Sequence, residues 1–316
     1  MRFALDNDRE ALRAAARDLL RELCPPAAVR AAWTGLPDPA PWQALADAGA
    51  LGVMAPPAAG GLGLDETYLV PVLEEAGRAA LPHPLAETAL VAAPLGVVGP
   101  VVATDLGERG SLVASATFAE AFLLVTDGGL RMYEAHEVDV EPVPTVDAAR
   151  HCGRVRPRAE GRLVTDDPGA VAAAFDRGVL GVAAELVGLS RAMLDLTVDY
   201  AAQRHQFGRP IGSFQAVKHR LADARLEIEF AAPAVLYAAY AVAHDLPDAS
   251  RSVSQAKWLA GAAASVTGRA ALQCHGAIGY TTEHDLHLFL KRSWALARSW
   301  GGSDSHADRV SALIGM

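Results

Sequence analysis

The chain alternates between long stretches with helical periodicity and one stretch with the periodicity of strands. Two stretches after residue 167 carry apolar residues every three or four positions, which is the period of one face of an α-helix. The first stripe consists of Val182, Leu186, Leu189, Met193 and Leu196, and the second of Val217, Leu221, Ala224 and Ile228. We expect Pro210 to separate the two helices, Ser213 to cap the second, and Pro233 to kink or end it.

Helices are predicted at both ends of the chain as well. Before residue 98 we expect one helix capped by Asp6, one over residues 39–52 that closes on glycine, and one over residues 66–81. Towards the end, Asp248 opens a helix that runs to about Cys274, and another covers Glu283 to about Ser299. A final helix begins near Ser303.

Residues 98–166 follow a different pattern. Two apolar runs flank the Asp-Gly-Gly segment at 127–129, which is typical of a β-hairpin. Val138, Val140 and Val143 alternate with acids and prolines, as in an edge strand. The predicted fold is mainly α with a small β insert: an N-terminal helical domain (1–97), a reduced middle β domain (98–166) and a C-terminal antiparallel four-helix bundle (167–316).

Composition narrows the classes of function. The 316 residues are 51% hydrophobic and 21% charged, with a net charge of −9. An acidic chain lacks the basic face that nucleic acids require, although a few placed arginines suffice for a phosphorylated small ligand. We expect no membrane span, and three widely spaced cysteines (Cys24, Cys152 and Cys274) indicate a reduced, cytoplasmic protein with buried thiols.

Single aromatic and histidine residues are given structural interpretations. His205, His219 and His275 have no partners at the spacing of metal ligands, so no metal site is expected. Trp258 and Trp294 fall within predicted helices and are expected to belong to the core.

Two stretches carry candidate chemistry. The first, RHQFGRPIGSFQAVKHRLADA, joins a helix end to a new helix start, with Arg204 at the bend. A helix start offers free N–H groups, and an arginine adds a fork that fits phosphate. The second, QCHGAIGYTTEHDLHLFLKR, places Gln273 at a helix end, followed by two small residues at which a ligand can approach the backbone. Together they suit an elongated ligand with a pyrophosphate, but two ordinary helix-connecting loops are an equally good physical interpretation.

These two stretches, in this combination and order, resemble the signatures of the acyl-CoA dehydrogenases. The resemblance extends to WQALADAGALGVMAPPAAGGLGL near the N-terminus and covers the whole chain. It implies FAD as the cofactor and oxidation of acyl-CoA thioesters to 2,3-enoyl-CoA, with electrons passed to an electron-transfer flavoprotein or a similar acceptor. In this family the FAD crosses a subunit interface. The residues implied to reach the flavin of a neighbouring subunit are Arg204, Gln206, Phe207, Gln215, Gln273, Gly276 and Ala277.

The resemblance also implies a catalytic glutamate, which this chain lacks at the usual positions. A carboxylate must remove the α-proton of the thioester while a hydride passes to the flavin. In most relatives the glutamate precedes a glycine in the turn before the last helix, and here Trp300 precedes Gly301. The other position used in the family, on the first helix of the bundle, holds Gly178. Asp304 and Glu185 remain as unusual candidate bases.

The middle domain departs from the family too. The usual threonine–glutamate–proline and glycine–serine–aspartate run has no counterpart between residues 98 and 166. The chain thus keeps residues that reach a neighbour's cofactor and lacks those that hold its own. This asymmetry resembles the short subunit of bacterial α2β2 acyl-CoA dehydrogenases that act on bulky substrates such as steroid side chains. The alternatives are a self-sufficient homo-oligomer with an unusual base and a scaffold subunit without flavin.

Overall fold

The computed structural model describes residues 4–99, 101–106, 112–126 and 129–315. The helices are α1 (Asn7–Leu23), α2 (Pro26–Ala31), α3 (Pro39–Asp47), α4 (Glu66–Arg78), α5 (Pro168–Gln203), α6 (Gln215–Ala243), α7 (Ala249–His275), α8 (Leu286–Arg298) and α9 (Ser303–Leu313). The strands are β1 (Val102–Asp105), β2 (Ala121–Thr126), β3 (Gly129–Glu134), β4 (Val138–Pro142), β5 (Gly153–Pro157), β6 (Arg162–Thr165), β7 (His205–Gln206) and β8 (Arg209–Pro210). A π-helical segment, Ala86–Ala92, follows α4.

Capping residues fix where the N-terminal helices begin. The Asp6 carboxylate accepts the backbone N–H of Arg9, as predicted, and Asp38 and Asp65 cap α3 and α4 in the same manner. Each carboxylate satisfies an N–H that has no partner within its own helix. The buried faces of α1, α3 and α4 join the core of the C-terminal helices in one continuous apolar cluster.

The β segment forms a small four-stranded sheet and a separate two-stranded ribbon. The sheet order is β1-β2-β3-β6, with β1 parallel to β2 and the other pairs antiparallel. Thr126 lies opposite Gly129, so the predicted hairpin is present, while its turn residues 127 and 128 lie outside the described residues. In the described part of the chain β4 pairs only with β5, which agrees with its prediction as an edge strand.

The helices after residue 167 pack together as the predicted bundle. Helix α7 packs against α5, α6, α8 and α9, and α5 also crosses α4 at very short range. At that crossing Gly188 faces the backbone of Glu74, and Gly77 faces the backbone of Glu185. A Cβ on either glycine would lie about 2 Å from a carbonyl oxygen, so only glycine allows this approach. The crossing brings the N-terminal helices onto the bundle.

Two predictions about the bundle are wrong in detail, and one of two alternatives is excluded. Ser213 does not cap α6, because its hydroxyl donates to the carbonyl of Pro210 and Phe214 occupies the cap position. Of the two outcomes expected at Pro233, a kink or an end of the helix, the end does not occur, because α6 continues to Ala243. Trp258 and Trp294 are not core residues, since each is 48% exposed. The helical period placed these side chains on helices but did not identify which helical faces are covered.

By length and composition alone, α6 is the one helix among the described residues that could cross a membrane. It packs in the bundle against α7 and α5, and 33% of its most apolar 18-residue window is buried. Leu226 and Phe230 on this helix are 55% and 69% exposed. An exposed apolar face of this kind is also typical of protein–protein contacts.

Candidate functional site

The structure brings the two signature stretches together at one corner of the bundle. Tyr200, one turn before Arg204, stacks on His275 with ring centroids 4.4 Å apart. Its hydroxyl donates to the carbonyl oxygen of His275 at 3.4 Å. Because His275 lies between Gln273 and Gly276, the two predicted cofactor segments are neighbours in space.

A tight hairpin carries the exposed part of the first signature. β7 and β8 pair with Gln206 opposite Arg209, which leaves Phe207 and Gly208 as a two-residue turn. Both turn residues have positive φ, 52° and 78°, as a type I′ turn requires. Phe207 is 91% exposed. A bulky residue in this backbone region is strained, and such strain is retained mainly where it serves a function.

The remaining predicted cofactor residues also face outward. Arg204, Gln215, Gln273, Gly276 and Ala277 are all exposed. Within the described part of the chain the Arg204 guanidinium has no ion-pair partner, so it is available to bind an anion. Gly276 has φ 62° and ψ −138°, and nothing lies within 4 Å of the place where a Cβ would stand. This corner is therefore an open half-site, which we define by the seven predicted residues. Its donors and open backbone fit the diphosphate of a cofactor shared with another subunit.

Trp300 lies in a rigid turn between α8 and α9. Its backbone has φ 57°, and Gly301 follows with φ 97°. The carbonyl oxygen of Trp300 accepts from His306 Nε2 at 2.9 Å, so His306 Nδ1 is left to accept from the Ser254 hydroxyl at 3.2 Å. Burial lowers the pKa of His306, which favours this neutral form.

A buried lysine fixes the same turn. Lys257 on α7 is 2% exposed and donates to the carbonyl oxygens of Ala297 and Gly301, both at 3.1 Å. These carbonyls stand at the C-terminal end of α8, where helical partners are missing. Burial, with a smaller effect from the charge of Arg150, lowers the pKa of Lys257 to about 7.

The Trp300 ring packs directly on Gly178. A Cβ added to Gly178 would lie 2.3–2.5 Å from three carbon atoms of the indole ring. The two positions at which the resemblance implies a catalytic glutamate are therefore in contact, and the indole occupies the space between them. The Phe175 ring lies on the same side, 5.9 Å from the Trp300 ring.

The two alternative bases have different surroundings. Asp304 is exposed in the first turn of α9, where an acid interacts favourably with the helix dipole. Glu185 lines an internal chamber together with Glu87. Burial, reinforced by the charge of Glu87, raises the pKa of Glu185 to about 8, although Arg292 and Arg150 oppose the shift. Burial also raises the pKa of Glu87, against a backbone hydrogen bond and the charge of Arg150.

Arg292, at the end of the second signature, organises this chamber. It pairs with the buried Asp147 and donates to the carbonyl oxygens of Ala80 and Leu81, at 3.2 and 2.7 Å. It thus joins α8 to the loop after α4 and to the β domain. Since a buried arginine without partners is very costly, these contacts make Arg292 a structural residue of the chamber.

Sequence reasoning missed Glu87, Asp147, Lys257 and His306 and gave Arg292 no role. A charged residue inside an otherwise apolar segment was the available signal for Glu87, which lies in AETALVA, and for Lys257, which lies in SQAKWLAG. For Asp147 and His306 the sequence offers no comparable signal, because neither stands within a continuous apolar segment of a predicted helix. No group of three or more His, Cys, Asp or Glu side chains in the described residues could hold a metal ion.

Comparison with known proteins identifies the family. The model of the acyl-CoA dehydrogenase N-terminal domain matches residues 6–101, and that of the C-terminal domain matches residues 169–312. The chain is 33% identical to acyl-CoA dehydrogenase IpdE2 of Mycolicibacterium smegmatis, over 98% of this chain and 100% of that protein. It is 34% identical to acyl-CoA dehydrogenase FadE34 of Mycobacterium tuberculosis, over 85% of this chain but 41% of that protein.

Solved structures agree with this result. A variant of the Tcur3481-Tcur3483 steroid ACAD is 27% identical, with a TM-score of 0.84 and 97% of both chains covered. The ChsE4-ChsE5 complex from Mycobacterium tuberculosis shares the fold at 24% identity, with a TM-score of 0.87, over 100% of this chain and 99% of that one. Together with the family matches and the IpdE2 relative, the exposed half-site and the helix–sheet–helix order lead to one conclusion: this chain belongs to the acyl-CoA dehydrogenase family, whose members bind FAD.

Proposed function

We propose that this chain is the short subunit of a heteromeric, FAD-dependent acyl-CoA dehydrogenase. A longer subunit supplies the catalytic glutamate, the contacts to the flavin ring and the thioester site, in an α2β2 assembly. The present chain completes the FAD site through Arg204, Gln206, Phe207 and Gln273. The observation that carries this proposal is the contact between Trp300 and Gly178. These two residues occupy both usual positions of the catalytic glutamate, so neither position holds a carboxylate, while the half-site remains open.

The relatives support a two-part assembly. The match to FadE34 covers 41% of that protein, so more than half of its length lies outside the match and could hold a second unit. The Tcur3481-Tcur3483 and ChsE4-ChsE5 structures are each named as pairs. The exposed apolar residues Leu226 and Phe230 on α6 offer a surface for such a partner.

The cofactor would supply the hydride acceptor, and the chain's own residues would orient it. The free Arg204 guanidinium would bind a phosphate of the diphosphate, and Gln273 and Gln206 would donate hydrogen bonds. The open backbone at Gly276 would allow the close approach of the cofactor, and the neighbouring Ala277 carries one methyl group more than a glycine would. Phe207 would pack against the partner or its cofactor, because 91% of its surface is uncovered.

Several narrower points belong to the same proposal. The substrate is a bulky acyl-CoA such as a steroid side-chain thioester, and the electron acceptor is an electron-transfer flavoprotein or a similar protein. The proposal also includes a division into three domains, with boundaries after residues 97 and 166, and a cytoplasmic location. Neither nucleic acid nor a membrane is a partner in this proposal.

The test compares three preparations: this chain alone, a longer homologue alone, and both co-expressed. We expect a stable complex with one FAD per heterodimer and acyl-CoA oxidation only from that complex. Arg204→Ala should lower FAD content and activity, whereas Arg225→Ala, at an exposed arginine on α6, should change neither. Stoichiometric FAD binding and acyl-CoA oxidation by this chain alone would contradict the proposal.

One observation favours a second candidate, a self-sufficient enzyme with Glu185 as its base. A carboxylate whose pKa is raised by burial to about 8 is a competent base near neutral pH. Under this alternative, the isolated chain oxidises an acyl-CoA and Glu185→Gln abolishes turnover, while Asp304→Asn leaves it intact. If the isolated chain has no turnover, this candidate is excluded.

A further inference from the structure

Two cavities lie near Trp300, one lined by Phe175 and the other by Leu296. The outer groove is an open cavity of about 620 Å³ beside the start of α5, and its lining includes Pro168, Val171, Phe175 and Arg309. The inner chamber is a cavity of about 30 Å³, and its lining includes His83, Glu87, Glu185 and Arg292. A volume of several hundred Å³ is usual for a small-molecule site, whereas the chamber is far below it.

Aromatic side chains stand between the two cavities. Phe175 lines the groove, and its ring lies 5.9 Å from the ring of Trp300. Trp300 also lies close to Glu87, which lines the chamber. The same two rings pack against both the core of the helical bundle and the core of the sheet. A series of neighbouring side chains therefore leads from the groove through Phe175, Trp300 and Glu87 to the chamber.

Trp300 is held firmly in this position. Its backbone carbonyl is fixed by His306, and the next carbonyl is fixed by Lys257, at 2.9 and 3.1 Å. The close contact with Gly178 restrains the ring itself.

The chamber behind the rings is polar and suited to water. Two of its lining residues carry a buried polar atom without a partner: His83, at Nδ1, and Arg292, at one terminal nitrogen. Water needs two to four polar partners and roughly 10–15 Å³ each, so the chamber has room for about two molecules. The carboxylates of Glu87 and Glu185 complete a lining that an alkyl chain would desolvate at high cost.

We propose that Trp300 and Phe175 form an aromatic partition that separates the outer groove from the inner chamber. Because of this partition, the cleft that the groove and the chamber would otherwise form in this chain does not admit an acyl chain. The inner chamber then holds only water beside the carboxylates of Glu87 and Glu185. The choice of an acyl chain as the excluded ligand rests on the proposed function; the partition itself does not. An assembly of this chain with a longer partner would have one working acyl site per heterodimer.

The partition can be tested by the dependence of affinity on chain length. The probes are the ethyl and hexyl thioethers of coenzyme A, which lack the thioester and are not oxidised. Each CH2 group that enters an apolar site contributes about 0.8 kcal/mol, or roughly fourfold in affinity. We expect the two probes to bind the wild-type chain within about threefold of each other, because neither tail passes the rings.

Variants of Trp300 test whether the aromatic ring at this position forms the partition. Trp300→Gly removes the ring and also relieves the positive φ, so the hexyl probe should bind at least tenfold tighter than the ethyl probe. Trp300→Phe keeps a ring over Gly178 and should behave as the wild type does. Trp258→Ala, at a half-exposed tryptophan, is the matched control. Added indole should bind Trp300→Gly with 1:1 stoichiometry and compete with the hexyl probe.

A tenfold preference of the wild type for the hexyl probe would overturn the partition, whether or not the variants fold. So would Trp300→Phe behaving as Trp300→Gly does. These results are independent of partner binding. A chain that assembles with a longer flavoprotein but shows the tenfold preference refutes the partition alone. A chain that shows no preference and yet meets no partner refutes only the proposed function.

Discussion

The indole of Trp300 fills the space above Gly178, at a distance that leaves no room for a Cβ on that glycine. The two residues are 122 positions apart in the chain, and the large ring of one fits against the smallest residue type at the other. In most positions within a helix, glycine costs about 1 kcal/mol relative to alanine, so its presence here has a packing reason.

Gly178→Ala should destabilise the protein, although alanine is the better helix former. The added methyl meets the Trp300 ring, and we expect a loss of about 1–3 kcal/mol in the free energy of unfolding. Gly261→Ala on α7, where the nearest atom is 3.9 Å away, should be neutral or stabilising. Trp300→Gly should rescue Gly178→Ala in a double-mutant cycle measured by chemical denaturation. Independent, additive effects would contradict the contact.

Glu185 should make a contribution to stability that falls as pH rises between 4.5 and about 8. The pKa of Glu185 is raised on folding, so the folded chain holds a proton that the unfolded chain releases in this range. Glu185→Gln should flatten the fall and be more stable than wild type at pH 8 by about 1–3 kcal/mol, with a smaller difference at pH 5. The readout is denaturation at several pH values, and Glu283→Gln, at an exposed glutamate, should follow the wild-type curve.

Lys257 should contribute a pH dependence of the opposite sign. Its pKa is lowered on folding from 10.5 to about 7, so between these values the unfolded chain binds the additional proton and stability rises with pH. Lys257→Met should remove this rise. At pH 9 it should also cost about 1–3 kcal/mol, because two carbonyl oxygens lose their donor. Lys218→Met, at an exposed lysine, is the control, and an unchanged profile for Lys257→Met would refute the assignment.

Phe207→Gly should separate stability from assembly. Glycine suits a φ of 52° better than phenylalanine, so the isolated chain should keep its stability or gain up to about 1 kcal/mol. If the half-site meets a partner's cofactor, FAD content and the yield of the complex should fall severalfold. Leu36→Ala, which removes another exposed apolar side chain that is not part of the half-site, should affect neither. Full FAD content in the Phe207→Gly complex would argue against the half-site.

Trp300→Glu should not by itself make the isolated chain an acyl-CoA dehydrogenase. The change restores a carboxylate before Gly301, but the flavin contacts expected of the middle domain are still absent from the sequence. Anaerobic mixing with FAD and an acyl-CoA should show no bleaching of the flavin spectrum. Turnover by this single variant would show that the missing carboxylate was the one defect.

The sequence by itself determined the class of fold, the family and the segments that form the half-site. Helical stripes, caps and turn residues are local signals, and the two signatures are contiguous in the chain, so no tertiary information was needed to find them. Tertiary structure alone decided that Tyr200 and His275 join the signatures, that Trp300 packs on Gly178, and that Glu87 faces Glu185. These contacts link residues far apart in sequence, and burial of the charged groups depends on several elements at once. A periodic pattern shows that a residue lies on a helix, but only the packed structure shows which face is covered and which carboxylate keeps its proton.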